Sequence, residues 1–230
     1  MDVRITYEDG SVEVVSTERD WKTSSGALIF NSIYIAEHYD ARLEQKGWNT
    51  VNFDDSKWNG VGYRAVPSQN VVSQQVQPIR AVETIPVKIW KKLNDTTYVF
   101  DFARNMAGVT RIKVSGEEGT VVRLKHGERL YDNGRVNTSN IDVYHRPVDN
   151  SDPFQTDILV LSGKGEDEFM ARFNYKGFRY VEVTSTNPLV LNENSLTAYF
   201  VHSDVPQKGT IHTSNALINR LWWATNNAYL

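Results

Sequence analysis

Acid–base or metal chemistry in this chain would have to rest on its histidines and carboxylates. His38, His126, His145, His202 and His212 are scattered, with neither an HExxH run nor a His-x-His pair. Asp142-x-x-His145 is a weak metal-ligand spacing, and a loop hydrogen bond is the better reading, so no metal ligand is assigned. Hydrolysis by two carboxylates needs one protonated and one ionised group across a cleft. Glu37, Asp40, Glu128, Asp142 and Asp157 have the right chemistry, yet no spacing singles out a pair. A solvated face or a turn hydrogen bond explains most of them better. The chain contains no cysteine, which removes disulfides, thiolate zinc sites and cysteine nucleophiles together. It also lacks a Gly-x-Ser-x-Gly elbow, a P-loop and a dinucleotide fingerprint. No catalytic residue is expected here.

Flat rings beside planar polar groups suit a different task. A pyranose offers C–H faces to an aromatic ring and hydroxyls to amides, carboxylates or guanidinium groups. Trp21, Asn31, Tyr34 and Asp40 are the candidate sugar contacts, with Tyr39 nearby and Trp48, Trp58 and Tyr63 further along. The competing reading makes Trp21, Trp48 and Trp58 plugs at sandwich corners, and it is the stronger of the two for those rings.

The elements that must position these residues are mostly strands. Val3–Tyr7 and Val12–Val15 alternate around a Glu8-Asp9-Gly10-Ser11 turn and predict a hairpin. Residues 79–89 read as the last strand of a first unit, with Pro86 marking an edge or bulge. A second β unit begins after the polar stretch 91–97. It alternates over 97–102, 109–114, 120–125, 155–161, 177–183 and 196–201. Many short strands between Gly and Asn turns argue for sandwiches. Phe100, Phe102, Ile112, Val114, Val122, Leu124, Phe178, Tyr180, Val181 and Val183 are the expected inward face. Arg179 should pair with a carboxylate, and Asp101 and Glu128 are expected to serve as hydrogen bonders. Residues 130–152 read as a long surface loop with a turn at Asp132-Asn133-Gly134.

From Thr213 the period changes. Leu217, Ile218, Leu221, Trp222 and Ala228 fall on helical spacing, with Thr213 or Ser214 as N-cap. Such a face needs a surface to pack on, and the chain ends at Leu230 without supplying one. Either the helix opens a further domain or it docks back on the sandwich.

Composition narrows the partners. The 230 residues suffice for one large or two ordinary domains. A net charge of −3 gives no basic footprint, so neither nucleic acid nor membrane is expected as a partner. No apolar run approaches a membrane span, and no secretion signal precedes Val3, although a fragment could have lost one.

Three blocks together resemble the bacterial α-L-rhamnosidases over nearly the whole chain. The first is Asp20-Trp21-Lys22-Thr23-Ser24-Ser25-Gly26, with Asn31-Ser32-Ile33-Tyr34, Glu37-His38-Tyr39-Asp40-Ala41-Arg42 and Gly47-Trp48. The second is Phe100-Asp101-Phe102-Ala103-Arg104-Asn105-Met106-Ala107-Gly108, similar to the family's DFGQNMAG, followed by His126-Gly127-Glu128-Arg129-Leu130. The third runs Phe173-Asn174-Tyr175-Lys176-Gly177-Phe178-Arg179-Tyr180-Val181-Glu182-Val183, and then His202-Ser203-Asp204 and Thr213–Asn219. Departures occur at Ala36, where the family has Gly, at Ala103-Arg104 in place of Gly-Gln, and in the loop 140–157.

The resemblance implies an all-β fold of two β-sandwich units, jelly-roll and lectin or galactose-binding in type, with a short C-terminal helix. The expected partition is 1–92, a partial amino-terminal sandwich; 93–208, a concanavalin-like sandwich; and 209–230, the start of a helical catalytic domain. The family's inverting hydrolysis resides in an (α/α)₆ barrel, so its catalytic carboxylates have no counterparts here. That missing barrel is the expected partner, with rhamnose-containing glycans as a further one. Some first modules of the family bind rhamnose through Ca²⁺, and the resemblance covers only the later half of that module. Ca²⁺ is therefore the one cofactor it suggests. The implied setting is bacterial, with periplasm or exterior favoured over cytoplasm. The expected function is a non-catalytic segment of an enzyme that cleaves terminal α-L-rhamnosides, inactive alone. The alternatives are an independent carbohydrate-binding module and a protein-interaction sandwich.

Overall fold

Period-two alternation of Val, Ile, Phe and Tyr with polar residues sets one face of each strand inward. The computed structural model describes residues 2–33, 35–66, 68, 70–142 and 153–229. Their early elements are β1 (Asp2–Thr6), β2 (Val12–Ser16), β3 (Lys22–Thr23), β4 (Leu28–Asn31), β5 (Glu37–Asp40) and β6 (Asn59–Gly60). Then follow β7 (Ile79–Pro86), β8 (Ile89–Asn94), β9 (Thr97–Ser115), β10 (Val121–Gly127), β11 (Arg129–Leu130) and β12 (Val136–Asn137). The last are β13 (Thr156–Val160), β14 (Glu166–Met170), β15 (Lys176–Ser185), β16 (Leu196–Ser203) and the helix α1 (Ala216–Tyr229). Among the described residues the fold is all-β, with one short α-helix near the C-terminus and a single 3-10 turn at Ala41–Leu43.

Contacts divide the chain into two compact units, 1–26 with 45–73, and 27–44 with 74–230. In the smaller unit, β1 and β2 form the expected antiparallel hairpin, registered Asp2↔Ser16 to Thr6↔Val12. Its turn closes through Tyr7 N–H to Ser11 O at 3.0 Å, and Gly10 supplies the left-handed backbone at φ +82°. β3 pairs with β6. The Trp58 ring lies 5.6 Å from that of Phe53, tilted by 59°, and its indole N–H donates to Gln45 Oε1 at 2.8 Å.

The larger unit is a sandwich wound from one continuous ladder, β4-β5-β13-β10-β15-β9-β16-β7, with β8 and β14 also on β9. The nineteen-residue β9 explains how one ladder makes two layers. Its first part, 97–101, pairs with β8 and the far end of β15, whereas 108–115 pairs with β16 and β14. A strand that changes sheets makes the corner of such a sandwich. Between the two parts the register with β15 jumps from Phe178↔Met106 to Tyr180↔Asp101. Residues 102–105 of β9 therefore bulge out opposite Arg179 alone. Both layers meet in a single core, in which Phe100, Phe102, Ile112, Leu124, Leu159 and Phe178 are fully buried. Each such side chain contributes roughly 1.5–3 kcal/mol. Tyr180, expected inward, is only half-buried, because the irregularity at Arg179 flips the alternation and hands the inward place to Val181. Gly108 is required by close approach: a Cβ there would lie 2.3 Å from the Tyr199 carbonyl oxygen.

Two further readings change. β7 pairs with β16 at the edge of the larger sheet, so residues 79–86 fall in the larger unit; Pro86 does sit on an edge strand, where a missing N–H is tolerated. The stretch read as a surface loop contains the β11–β12 hairpin. Val136 within it is buried, since Glu182 accepts from Val136 N–H at 2.9 Å and from Arg135 at 2.6 Å. Residues 143–152 of that stretch, including His145, lie outside the described residues.

Candidate functional site

The bulge of β9 gathers the polar groups of the second sequence block. Asp101 opens it, accepting Ala103 N–H at 2.6 Å in a tight local turn. The same carboxylate takes two hydrogen bonds from Arg179, at 2.8 Å each, the planar fork-to-fork geometry that a guanidinium favours. Burial works to raise the Asp101 carboxyl, but Arg179 and the Ala103 N–H outweigh it and hold the group below the ordinary carboxylate range. A general acid must keep its proton near neutral pH; Asp101 is set the other way. Ala103 has φ +58°, a left-handed conformation that suits glycine. At the tip, Asn105 donates to Glu128 Oε1 at 2.8 Å. Arg104 donates to Glu83 Oε2 at 2.6 Å and to Asn227 Oδ1 of α1 at 2.7 Å. The expected carboxylate partner of Arg179 is thus Asp101, and Glu128 is likewise a hydrogen bonder.

A second cluster lies inside. His126, Asp157 and Lys176 each stand one period-two step from an inward apolar residue, Leu124, Leu159 and Phe178, so they continue the core face at one end of the sandwich. Asp157 Oδ1 accepts from Lys176 Nζ at 2.8 Å and from Glu37 N–H at 2.9 Å. Lys176 also donates to Asn174 Oδ1. Glu37 Oε1 accepts Arg172 N–H at 2.8 Å, Phe173 N–H at 2.5 Å and Asn174 Nδ2 at 3.3 Å. All of these side chains except Arg172 and Phe173 are buried. His126 is held between Thr110 Oγ1 at 2.9 Å and the Gln155 carbonyl at 3.2 Å. Complete burial, and next the Lys176 charge, push its pKa down to about 4. The ring is neutral at pH 7, with Nδ1–H donating to the Gln155 carbonyl and Nε2 accepting from Thr110. The charged and amide groups of this layer are linked in a chain, Glu37 to Asn174, Asn174 to Lys176 and Lys176 to Asp157.

Three of the four sequence-derived sugar contacts are among the described residues. Trp21 lies in the smaller unit and Asn31 and Asp40 in the larger, while Tyr34 lies outside the described residues. Asn31 aligns with Glu37 on the β4–β5 ladder, three residues and about 10 Å along the strand from Asp40. Asp40 is buried and gives its two oxygens to Arg42 at 2.9 and 2.7 Å; the Arg42 hydrogen bonds hold it below the ordinary carboxylate range. Trp21 and Trp48 are exposed and so plug no corner among the described residues; Trp58 is half-buried. No group of three or more His, Cys, Asp or Glu converges on a metal position among the described residues, so no Ca²⁺ site is derived. Sequence reasoning missed the layer around Lys176 and the Arg104 contacts. The signal for the first was a lysine at an inward position of an otherwise apolar strand; the second had none.

Fold and contacts define a class: a lectin-like β-sandwich whose inner polar groups are occupied with one another. Two domain models of one family match in tandem, the α-L-rhamnosidase N-terminal domain over residues 1–83 and the bacterial α-L-rhamnosidase concanavalin-like domain over residues 91–202. The chain belongs to the bacterial α-L-rhamnosidases, a hydrolase family. It is 33% identical over 221 residues to an α-L-rhamnosidase of Streptomyces avermitilis, covering 95% of this chain and 20% of that protein. One from Formosa agariphila is 28% identical over 236 residues, covering 99% and 24%. The solved α-L-rhamnosidase of Dictyoglumus thermophilum superposes with a TM-score of 0.84 at 35% identity, covering 96% of this chain and 25% of that one. The Streptomyces avermitilis structure, complexed with L-rhamnose, gives 0.81 at 32% identity, covering 96% and 20%. The chain thus spans about a fifth to a quarter of the length of these relatives.

Proposed function

We propose that this chain is the non-catalytic β-sandwich portion of an α-L-rhamnosidase that hydrolyses terminal α-L-rhamnosides. Its role is to support a helical catalytic domain of the same polypeptide. In that reading 1–92 is the amino-terminal sandwich part, 93–208 the concanavalin-like sandwich and 209–230 the lead into the catalytic domain. The observation that carries the reading is α1: its apolar stripe, Leu217, Ile218 and Leu221, is exposed, and no residue of the helix is buried. A stripe of that kind is stable in water only when another surface covers it. Asp101, Asp157 and Glu37 add support, since each is committed to neighbours and none forms an opposed acid pair. The test is an aryl α-L-rhamnoside assay on this chain alone. The expected result is no release of phenol above a blank; turnover would overturn the proposal.

A second reading, an independent carbohydrate-binding module, is favoured by the exposed rings Trp21, Trp48 and Tyr63 of the smaller unit. Flat solvent-facing aromatics are what a pyranose face uses. Of the expected contacts Trp21, Asn31, Tyr34 and Asp40, Trp21 belongs to this unit and is the one the reading rests on. Titration calorimetry with L-rhamnose, with and without Ca²⁺, decides it: heat in either condition supports binding, and none in both leaves the supporting role.

A further inference from the structure

Helix α1 is held to the sandwich by its less apolar side. At about 100° per residue, Trp223 and Asn227 share one face, roughly opposite Leu217, Ile218 and Leu221; Asn227 is the half-buried member of that pair and Trp223 the exposed one. With fourteen residues and none buried, α1 is near the length at which an isolated helix is marginal in water. Its N-terminus is capped by Asn215, whose Oδ1 accepts Leu217 N–H at 2.9 Å, but a cap secures a helix without fixing its orientation. The fixing contacts come from the β9 bulge. The Arg104 guanidinium lies 4.4 Å from the Phe200 ring centroid and 5.9 Å from that of Trp223. It donates to Asn227 Oδ1 at 2.7 Å and to Glu83 Oε2 at 2.6 Å. Asn227 Nδ2 in turn donates to Asn105 O at 3.3 Å. One planar cation thus touches β7, β16 and α1 together, and it is only 22% exposed.

We propose that Arg104 is a positioning residue that clamps the Trp223–Asn227 face of α1 to the sandwich corner and thereby sets the Leu217–Ile218–Leu221 stripe outward. Left to hydrophobic burial alone, the helix would roll its apolar side inward; the Arg104–Asn227 hydrogen bond and the Arg104–Trp223 ring contact oppose that roll, with Phe200 of β16 anchoring the guanidinium from the sheet side. The clamp rests on contacts within this chain and holds whether or not the enzymatic reading does.

Hydrogen–deuterium exchange over residues 216–229 tests it in the whole chain. Asn227→Ala removes the helix side of the clamp without touching the sandwich. We expect α1 amides to exchange roughly tenfold faster or more, as suits a lost hydrogen bond to a charge, while β10 and β15 keep their protection. Arg104→Ala should do the same, and Arg104→Lys should recover only part, because an ammonium keeps the Glu83 ion pair but neither stacks nor forks. Unchanged α1 exchange in Asn227→Ala overturns the proposal, whatever Arg104→Ala does to overall stability. A rise shared equally by α1, β10 and β15 in Asn227→Ala overturns it too, since the contact would then serve the global fold rather than the helix.

Discussion

Single residues at the corner of β9 show how far side-chain chemistry departs from simple alternation. Ala103 sits at φ +58°, where a Cβ is crowded by its own backbone. Ala103→Gly should therefore raise stability by about 1 kcal/mol, read as a higher urea midpoint with an unchanged slope; an equal or lower midpoint would show the strain to be absent. His126 makes a pH prediction. Its folded pKa of about 4 lies below the ordinary 6.5, so the unfolded chain binds the proton first. The stability it contributes is complete above pH 6.5 and is lost as pH falls towards 4, about 2 kcal/mol of it between pH 7 and 5. His126→Gln should flatten that part of the profile, and parallel profiles in the two proteins would refute the assignment. These residues were unequally legible. The pairing of Arg179 with a carboxylate follows from a guanidinium between two rings on a strand. The left-handed Ala103 does not, because alanine carries no mark of it and the register jump that demands it is a property of two strands.

Strands and their pairings make the middle scale. Local alternation exposed most of the sheet, since β9, β10, β13, β15 and β16 each repeat apolar residues every second position. Their order, and the passage of β9 from one layer to the other, rest on long-range pairing that no local period encodes. The same holds for the polar layer, where Glu37 N–H reaches Asp157 across 120 residues. Asp157 and Lys176 are both fully enclosed, at 1% and 3% side-chain exposure. Lys176→Met should consequently cost about 3–5 kcal/mol by leaving a buried carboxylate unpaired, and Asp157→Asn with Lys176→Met together should cost clearly less. Chemical denaturation of the two single variants and the double variant closes the cycle; additive losses would show that the two charges act independently. The helix was legible in its period but not in its cap. Thr213 and Ser214 were the expected caps, yet Asn215 takes the place, an exchange among residue types of similar capping strength.

The molecule as a whole is built from discontinuous pieces. Segment 27–44 belongs to the larger unit because β5 runs parallel to β13, Ile158↔His38 to Val160↔Asp40, although the chain on either side of it belongs to the smaller one. Cutting the chain at the boundary between the two family domains would strip β5 from β13 and leave a bare sheet edge over a half-satisfied polar layer. A polypeptide of residues 84–230 should therefore melt well below the full chain and self-associate through that edge, visible in sedimentation; a monomer with an undiminished melting temperature would contradict this.

The parallel pairing also sets a timetable. On the ribosome, the Glu37–Asp40 strand emerges long before Thr156–Val160 exists to receive it. At the ordinary pace of about 5–20 residues per second, it waits on the order of ten seconds with Tyr39 and Ala36 in water. Until its mate arrives, its one other ladder partner among the described residues is its neighbour Leu28–Asn31, a two-stranded hairpin too small to persist alone. A late step of assembly thus waits on residues made more than a hundred positions earlier, and the nascent chain depends during that interval on whatever keeps an unpaired strand from finding a stranger.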